Sequence, residues 1–235
     1  MKPISTCKGC FKDLKFNNFH SLLNPDLAIC NECIYESHPE FIRFKINGVN
    51  SLALFSYNDF IRNKIYIYKG CEDYEMKDFF LSPYLAELKI FYSDFVIVPI
   101  PSYLEDDKKR GFNHVIEIFK CLNLQIIPFL IKTKNIKQKE LNFEERQKIS
   151  DILISDKSIS LKHKKVLIVD DVITTGASMK AAINLVKLEK PKRIEVLAIA
   201  KRIMSEEELK KHKNIKKLWV LFIKVWIPLY IMVKL

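Results

Sequence analysis

Two groups of residues have the types and spacing to do chemistry. The first is CKGC and CNEC, which place Cys7, Cys10, Cys30 and Cys33 in two C-x2-C pairs with nineteen residues between them. Four soft thiolates in tetrahedral array suit structural Zn2+, and a closed four-cysteine site leaves no open position for catalysis. Zinc would tie together a short polar segment that cannot build its own core. The second is KKVLIVDDVITTGASMK, residues 164–180, where an aliphatic run ends in Asp170 and Asp171 and passes into Thr174, Thr175, Gly176, Ala177 and Ser178. Paired carboxylates there can accept hydrogen bonds from vicinal hydroxyls or hold Mg2+, a hard oxygen-seeking ion. The hydroxyls and turn amides that follow make a phosphate cradle if a helix starts there, because unpaired N–H groups and the helix dipole converge on an anion. Gly176 lets the backbone approach closely. A lone Asp or Thr would be an ordinary helix cap; the whole run points to a ligand that carries both a diol and a phosphate.

These groups must be held by regular elements. LALFSY reads as a strand, NDFIRNKIYIYK (58–69) as a helix, and KDFFLSPYLAELKIFY (77–92) as a helix interrupted by proline. DFVIVPIPSY (94–103) is a strand meeting a prolyl loop, GFNHVIEIFKCLN (111–123) an amphipathic helix, and QIIPFLIK (125–132) a short strand. Residues 132–153 are charged and free of glycine, which suits a loop leading into a helix. KKVLIVD is a buried strand of the parallel type, a helix follows from about Thr175 to Lys187, and RIEVLAIAK (193–201) is the next strand. Strand, helix, strand is a βαβ unit, and ligands in open α/β sheets bind at the carboxyl edge of such strands. Cys71 and Cys121 read as apolar fillers, and His20 and His38 as surface histidines.

A chain of 235 residues, 49% hydrophobic, has material for a substantial core, which excludes a disordered chain. The N-terminal MKPISTCKGC has no apolar h-region, so a reducing cytoplasm is expected, where paired cysteines suggest metal before disulfide. The net charge of +11 favours phosphorylated or polyanionic partners without naming one. Nine Lys or Arg and three Glu lie from Lys201 to Leu235, so over half of the excess is in the tail. There, SEEELKKHKNIKK reads as a capped charged helix, and LWVLFIKVWIPLYIMV (218–233) is apolar but short and interrupted by Lys224 and Pro228. Three readings of it stand: an element completing the core, a segment docking on a partner or the inner face of a membrane, or a terminus altered by divergence or a frame change.

VLIVDDVITTGAS resembles the phosphoribosyl-pyrophosphate (PRPP) signature of type I phosphoribosyltransferases. Together with the N-terminal four-cysteine module, VPIPSYLEDDKKRGFNH (98–114) and KQKELNFEERQKI (137–149), it makes residues 5–200 resemble the ComF family, associated with bacterial competence and related to amidophosphoribosyltransferases. The resemblance implies an α/β fold: a type I phosphoribosyltransferase-like, mostly parallel sheet over 46–203, a zinc module over 1–45 and a basic and apolar tail over 204–235. It implies that Asp170 and Asp171 engage the ribose hydroxyls of PRPP while Thr174, Thr175, Gly176, Ala177 and Ser178 wrap its 5′-phosphate. The loop from Pro99 through Pro101 and Ser102 would face the pyrophosphate, with Arg110 and Lys69 neutralising it and Gln138 and Arg146 on a cover. This chain has His114 where the family usually has Gln.

Transferases of this fold work by geometry and electrostatics, with Mg2+ and basic groups stabilising the departing pyrophosphate. No acceptor is written in the sequence. Two classes remain open: a pentosyltransferase that releases pyrophosphate, and a nucleic-acid-uptake accessory that binds single-stranded DNA, a competence helicase or other uptake proteins and keeps PRPP as a structural or regulatory ligand.

Overall fold

The computed structural model describes residues 6–14, 27–133 and 152–203. Gln138, Arg146, His20 and the tail from residue 204 lie outside the described residues, as does most of the expected loop and helix over 132–153.

A short helix α1 (Asn31–Ser37) follows the second cysteine pair and leads into a hairpin of β1 (Ile42–Ile46) and β2 (Val49–Ser56). Asn47 and Gly48 supply the left-handed turn between them. Residue 45, where the sequence places the end of the cysteine module, falls inside β1. Helix α2 (Asp59–Gly70) starts at Asn58, whose side chain accepts from the backbone N–H of Ile61. Then α3 (Lys77–Leu81) and α4 (Leu85–Phe91) flank a 3-10 turn at Ser82–Tyr84, and Pro83 in that turn lacks the N–H that a continuous helix would need. Strand β3 (Phe95–Pro99), α5 (Leu104–Arg110) and α6 (His114–Phe119) come next. The helix expected over 111–123 is shorter: Gly111 ends α5 with a φ of 83°, Asn113 caps α6, and Lys120–Leu122 tightens into a 3-10 turn.

The strand expected over 125–132 is largely corrected. Only Ile126 bridges to Ile97 in the main sheet, and the chain then diverges into β4 (Leu130–Thr133), which pairs antiparallel with β5 (Ile152–Ser155). Pro128 interrupts the run between them. Strand β6 extends further than the sequence suggests, over Lys165–Ile173, so both aspartates lie within it. Helix α7 runs over Ala177–Leu188 rather than from Thr175, and β7 covers Arg193–Lys201 as expected.

The main sheet has the order β1-β2-β7-β6-β3, with the β2/β7, β7/β6 and β6/β3 pairs parallel and β1 antiparallel at the edge. Strand alternation divides its two faces. Val166, Ile168, Val196 and Ala198 pack under α7, which presents Met179, Ala182, Ile183 and Val186 at helical spacing. Leu167, Val169, Leu197 and Ile199 face the other way, onto side chains of α2, α3, α4 and α6. Cys7, Leu27, Ile29 and Cys33 belong to that same second core, beside Phe79 and Phe80. Cys121 is a partly buried filler as expected, but Cys71 is exposed at the end of α2.

Candidate functional site

The four cysteines come together as their spacing requires. Their sulfurs all lie within 4.8 Å of one another, with Cys7 Sγ 3.7 Å from Cys33 Sγ and Cys10 Sγ 3.6 Å from Cys30 Sγ. Four thiolates around one Zn2+ at a Zn–S distance of ~2.3 Å stand ~3.8 Å apart, so the cluster fits a tetrahedral ion. Burial works against ionisation at Cys7, but the backbone N–H groups of Cys30 and Gly9 donate to its sulfur at 3.2 and 3.3 Å and lower its pKa to about 7. Gly9 is part of the knuckle for a steric reason that the spacing pattern does not express. A Cβ there would stand 2.8 Å from both Cys33 Sγ and a ring carbon of Phe79.

The second site lies where β6 hands over to α7. Asp171 is buried, and Lys69 Nζ, at the last turn of α2, donates to its Oδ2 at 2.7 Å. His114, at the start of α6, has Nε2 3.8 Å from the same oxygen. Burial alone would raise the Asp171 carboxyl, but His114 and the Lys69 ammonium outweigh it and hold the group well below the usual carboxylate range. Asp170, half-buried, turns Oδ1 onto the backbone N–H of Asp171 at 2.9 Å. Burial and the neighbouring Asp171 charge push it well above the usual value. Adjacent carboxylates in one strand are thus driven in opposite directions.

Past Ile173 the chain is open to solvent: Thr174, Thr175, Ala177 and Ser178 are exposed. Gly176 is the N-cap of α7 with φ 76°, and among the described residues no side-chain cap hydrogen bond closes the helix. The ordinary Asp or Thr cap is therefore not what these residues form. Thr175 Oγ1 accepts only a long contact, 3.4 Å, from the N–H of Ala177. The first-turn amides consequently face an accessible surface with the positive end of the helix dipole behind them.

A third group borders the second. Pro99 ends β3, and Pro101 and Ser102 follow, both half-buried. Ser102 Oγ donates to Asp107 Oδ1; Asn113 Nδ2 donates to Asp107 Oδ2 at 2.7 Å and to Ser102 Oγ at 3.2 Å. Arg110 Nη1 donates to Asp107 Oδ1 at 3.1 Å and stands 3.3 Å from His114 Nδ1, while its Nε donates to the Lys69 carbonyl at 3.3 Å. One polar chain therefore links Ser102, Asp107, Arg110, His114, Asp171 and Lys69. Asp107, Asn113 and His114 were not singled out from sequence as site residues. All three lie in the 98–114 stretch that carries the family resemblance, but that stretch does not show their roles, which arise when Asp107, Asn113 and His114 meet Ser102, Arg110 and Asp171 in the folded chain.

Comparison with known proteins follows the same lines. The Phosphoribosyl transferase domain family matches residues 112–226, which takes in β6, the open turn and α7, and extends past the point at which the sequence resemblance stops. The competence protein ComFC of Bacillus subtilis (strain 168) is 30% identical over 171 residues, 72% of this chain and 70% of that protein. The chain belongs to the ComFC family. The Streptococcus pneumoniae (strain ATCC BAA-255 / R6) competence protein ComFC is 23% identical over 209 residues, 80% of this ComFC-family chain and 94% of that protein. Among solved structures, purine phosphoribosyltransferase from Pyrococcus horikoshii Ot3 is 20% identical, covering 53% of this chain and 73% of that one at a TM-score of 0.34. This ComFC-family protein thus has an α/β phosphoribosyltransferase-like fold with a mixed, mostly parallel sheet and an N-terminal four-cysteine cluster able to hold a metal such as Zn2+. Among the described residues, no helix is long and apolar enough to cross a membrane.

Proposed function

We propose that the protein binds PRPP at the β6–α7 junction and transfers its phosphoribosyl group to an acceptor. The observation that carries this reading is the uncapped N-terminus of α7, with exposed Thr174, Thr175 and Ser178, set just beyond the Asp170–Asp171 pair in one loop. The amides and hydroxyls of residues 174–178 take the 5′-phosphate. Asp170 and Asp171 take the ribose hydroxyls as acceptors. In this reading Lys69 and Arg110 neutralise the diphosphate, and Pro101 and Ser102 belong to the loop that faces it. Lys69 is committed to Asp171, and Arg110 to Asp107; both therefore act as fixed, preorganised charges rather than loose ones.

The donor set fits Mg2+ in part. Asp171 is engaged by Lys69, which leaves Asp170 as the better oxygen donor, with the oxygens of PRPP supplying further ligands. When bound, Mg2+ would offset negative charge on the diphosphate. In the transfer, the acceptor's lone pair forms a bond to the anomeric carbon as the bond to the diphosphate oxygen breaks. Pyrophosphate leaves with that electron pair and the acceptor's proton passes to solvent. Zn2+ in the cysteine cluster is structural in this reading, because four sulfurs close its coordination.

The test is thermal stabilisation by PRPP with Mg2+, followed by pyrophosphate release across candidate acceptors. Saturating PRPP is expected to raise Tm by several degrees, through a linkage of about 2.7 kcal/mol at a hundredfold excess over Kd. Asp170→Asn and Asp171→Asn are expected to abolish that increment; an unchanged melt for the wild-type protein across the titration would defeat the proposal. A second reading is favoured by the name that both relatives carry, competence protein, and by the +11 charge. In it the protein serves nucleic-acid uptake, binding single-stranded DNA or uptake proteins, with PRPP as a regulator. Tight DNA binding that survives moderate salt without turnover supports it, whereas binding lost in salt reports charge attraction alone.

A further inference from the structure

The two aspartates of β6 take opposite faces of the sheet. Asp171 follows Val169 onto the face that carries Lys69 and His114, and Asp170 follows Ile168 onto the face under α7. Strand β4 packs on that second face: Leu130 is buried in the cluster of Val166 and Ile168, whereas Ile131 is exposed. Alternation along β4 turns Lys132 to the same side as Leu130. Half-buried there, its Nζ stands over the ring of Tyr103 at 4.1 Å. Tyr103 comes directly after the Pro99–Ser102 loop, at the N-cap of α5. Burial draws the Lys132 ammonium below the usual lysine value, while Asp170 and then Asp106 pull it back up and Lys69 repels it. The charges that Lys132 feels are therefore those of the β6–α7 junction, met from the face opposite Lys69.

We infer, resting on the PRPP reading, that Lys132 is a further binding residue of this site, its ammonium gripping the diphosphate between Tyr103 and Asp170. In PRPP the diphosphate hangs from the anomeric carbon, next to the ring hydroxyls. With Asp170 on those hydroxyls and Pro101 and Ser102 facing the diphosphate, the oxygens nearest the sugar pass between the two. Tyr103 and Asp170 mark the sides of that passage. An ammonium held over an aromatic face is a preorganised charge. Lys69 and Lys132 repel one another, and a diphosphate between them turns that repulsion into attraction on both sides.

The test titrates the full chain by calorimetry, in Mg2+, with PRPP, inorganic pyrophosphate and ribose 5-phosphate in turn. Ribose 5-phosphate carries the sugar and 5′-phosphate without the diphosphate, and pyrophosphate the reverse. Lys132→Met keeps an apolar stem on the Tyr103 ring and removes the charge, so without ligand it should melt within about 2 °C of wild type. It should weaken PRPP and pyrophosphate about tenfold or more, the worth of one hydrogen bond to a charged group. Ribose 5-phosphate should change by less than about twofold, and Lys132→Arg should restore most of the lost PRPP affinity. Unchanged PRPP affinity in Lys132→Met, or an equal loss for ribose 5-phosphate, would overturn the assignment and leave the PRPP reading standing. A wild-type chain that takes up no PRPP would defeat that reading, and the role of Lys132 with it.

Discussion

Asp170 and Asp171 are neighbours whose substitution should have opposite consequences for stability. Asp171 shares its buried oxygen with Lys69 at 2.7 Å, so Asp171→Asn strands an ammonium. Complete loss of a buried pair costs about 3–5 kcal/mol; Lys69 is a third exposed, which cuts the expected loss to about 1–2 kcal/mol. Asp170→Asn should instead raise Tm at pH 7 by about 2–4 °C for each kcal/mol recovered, since it removes a carboxylate whose ionisation is opposed by burial and by Asp171. The pH dependence follows from the same shifts. The folded-state value of Asp170 is raised, so its destabilising effect is fully present above that raised value and fades as pH falls towards the unfolded carboxylate value of ~3.9. The Tm gap between Asp170→Asn and wild type should therefore narrow between pH 7 and about pH 4.5 in scanning calorimetry. Asp171 is depressed, so its contribution persists throughout that window and is lost only in stronger acid. The two carboxylates were legible in the sequence because their chemistry is contiguous with the Thr-Thr-Gly turn. Their inequality was not, because it depends on Lys69, 102 residues away, and on His114, whose ring is placed by α6.

At the scale of the element, the β6–α7 turn depends on one backbone conformation. Gly176 caps α7 with φ 76°, and a Cβ there would touch only Ile46 and Ile173 at 3.6 and 3.8 Å. Gly176→Ala is thus strained without being crowded and should cost about 1 kcal/mol. If the turn is a phosphate cradle, the same substitution tilts the amides of Ala177 and Ser178 and should reduce PRPP-dependent stabilisation well beyond that small loss in Tm. Retention of the full PRPP increment in a calorimetric titration of the variant would separate the turn from the ligand. The parallel strands were read closely from sequence, β7 over 193–201 in full, because a strand buried on both faces is written as an uninterrupted aliphatic run. Residues 125–132 carry an equally apolar run but form mostly a strap. Pro128 breaks the ladder after Ile126, and among the described residues β4 pairs with β5 alone, beyond a long intervening segment.

For the molecule as a whole, the cysteine cluster is embedded in the principal core. Cys7 and Cys33 are buried with Leu27, Ile29, Phe79 and Phe80, in the hydrophobic cluster that also holds Leu167 and Leu197 of the sheet. Sequence reading could identify four thiolates, but the shared packing follows from α3 lying across the knuckle, which no spacing expresses. If Zn2+ occupies the cluster, its removal withdraws binding free energy from the same packed body that supports α2 and, through Lys69, Asp171. Chelation should then lower the temperature of one main unfolding transition, with no separate melt of an N-terminal unit at lower temperature. Cys7→Ser with Cys30→Ser should reproduce that shift and reduce zinc content from about one per chain to near zero, four sulfurs being the complement of a closed site. Gly9→Ala should do the same with every cysteine still present, because its added carbon would stand 2.8 Å from Cys33 Sγ and from the Phe79 ring. Calorimetry paired with metal analysis distinguishes the alternatives. A metal-replete Gly9→Ala protein with a wild-type melt would show that the knuckle is not packed this tightly. Two resolved transitions after chelation would show that cluster and sheet fold apart, and PRPP binding would then survive the loss of metal.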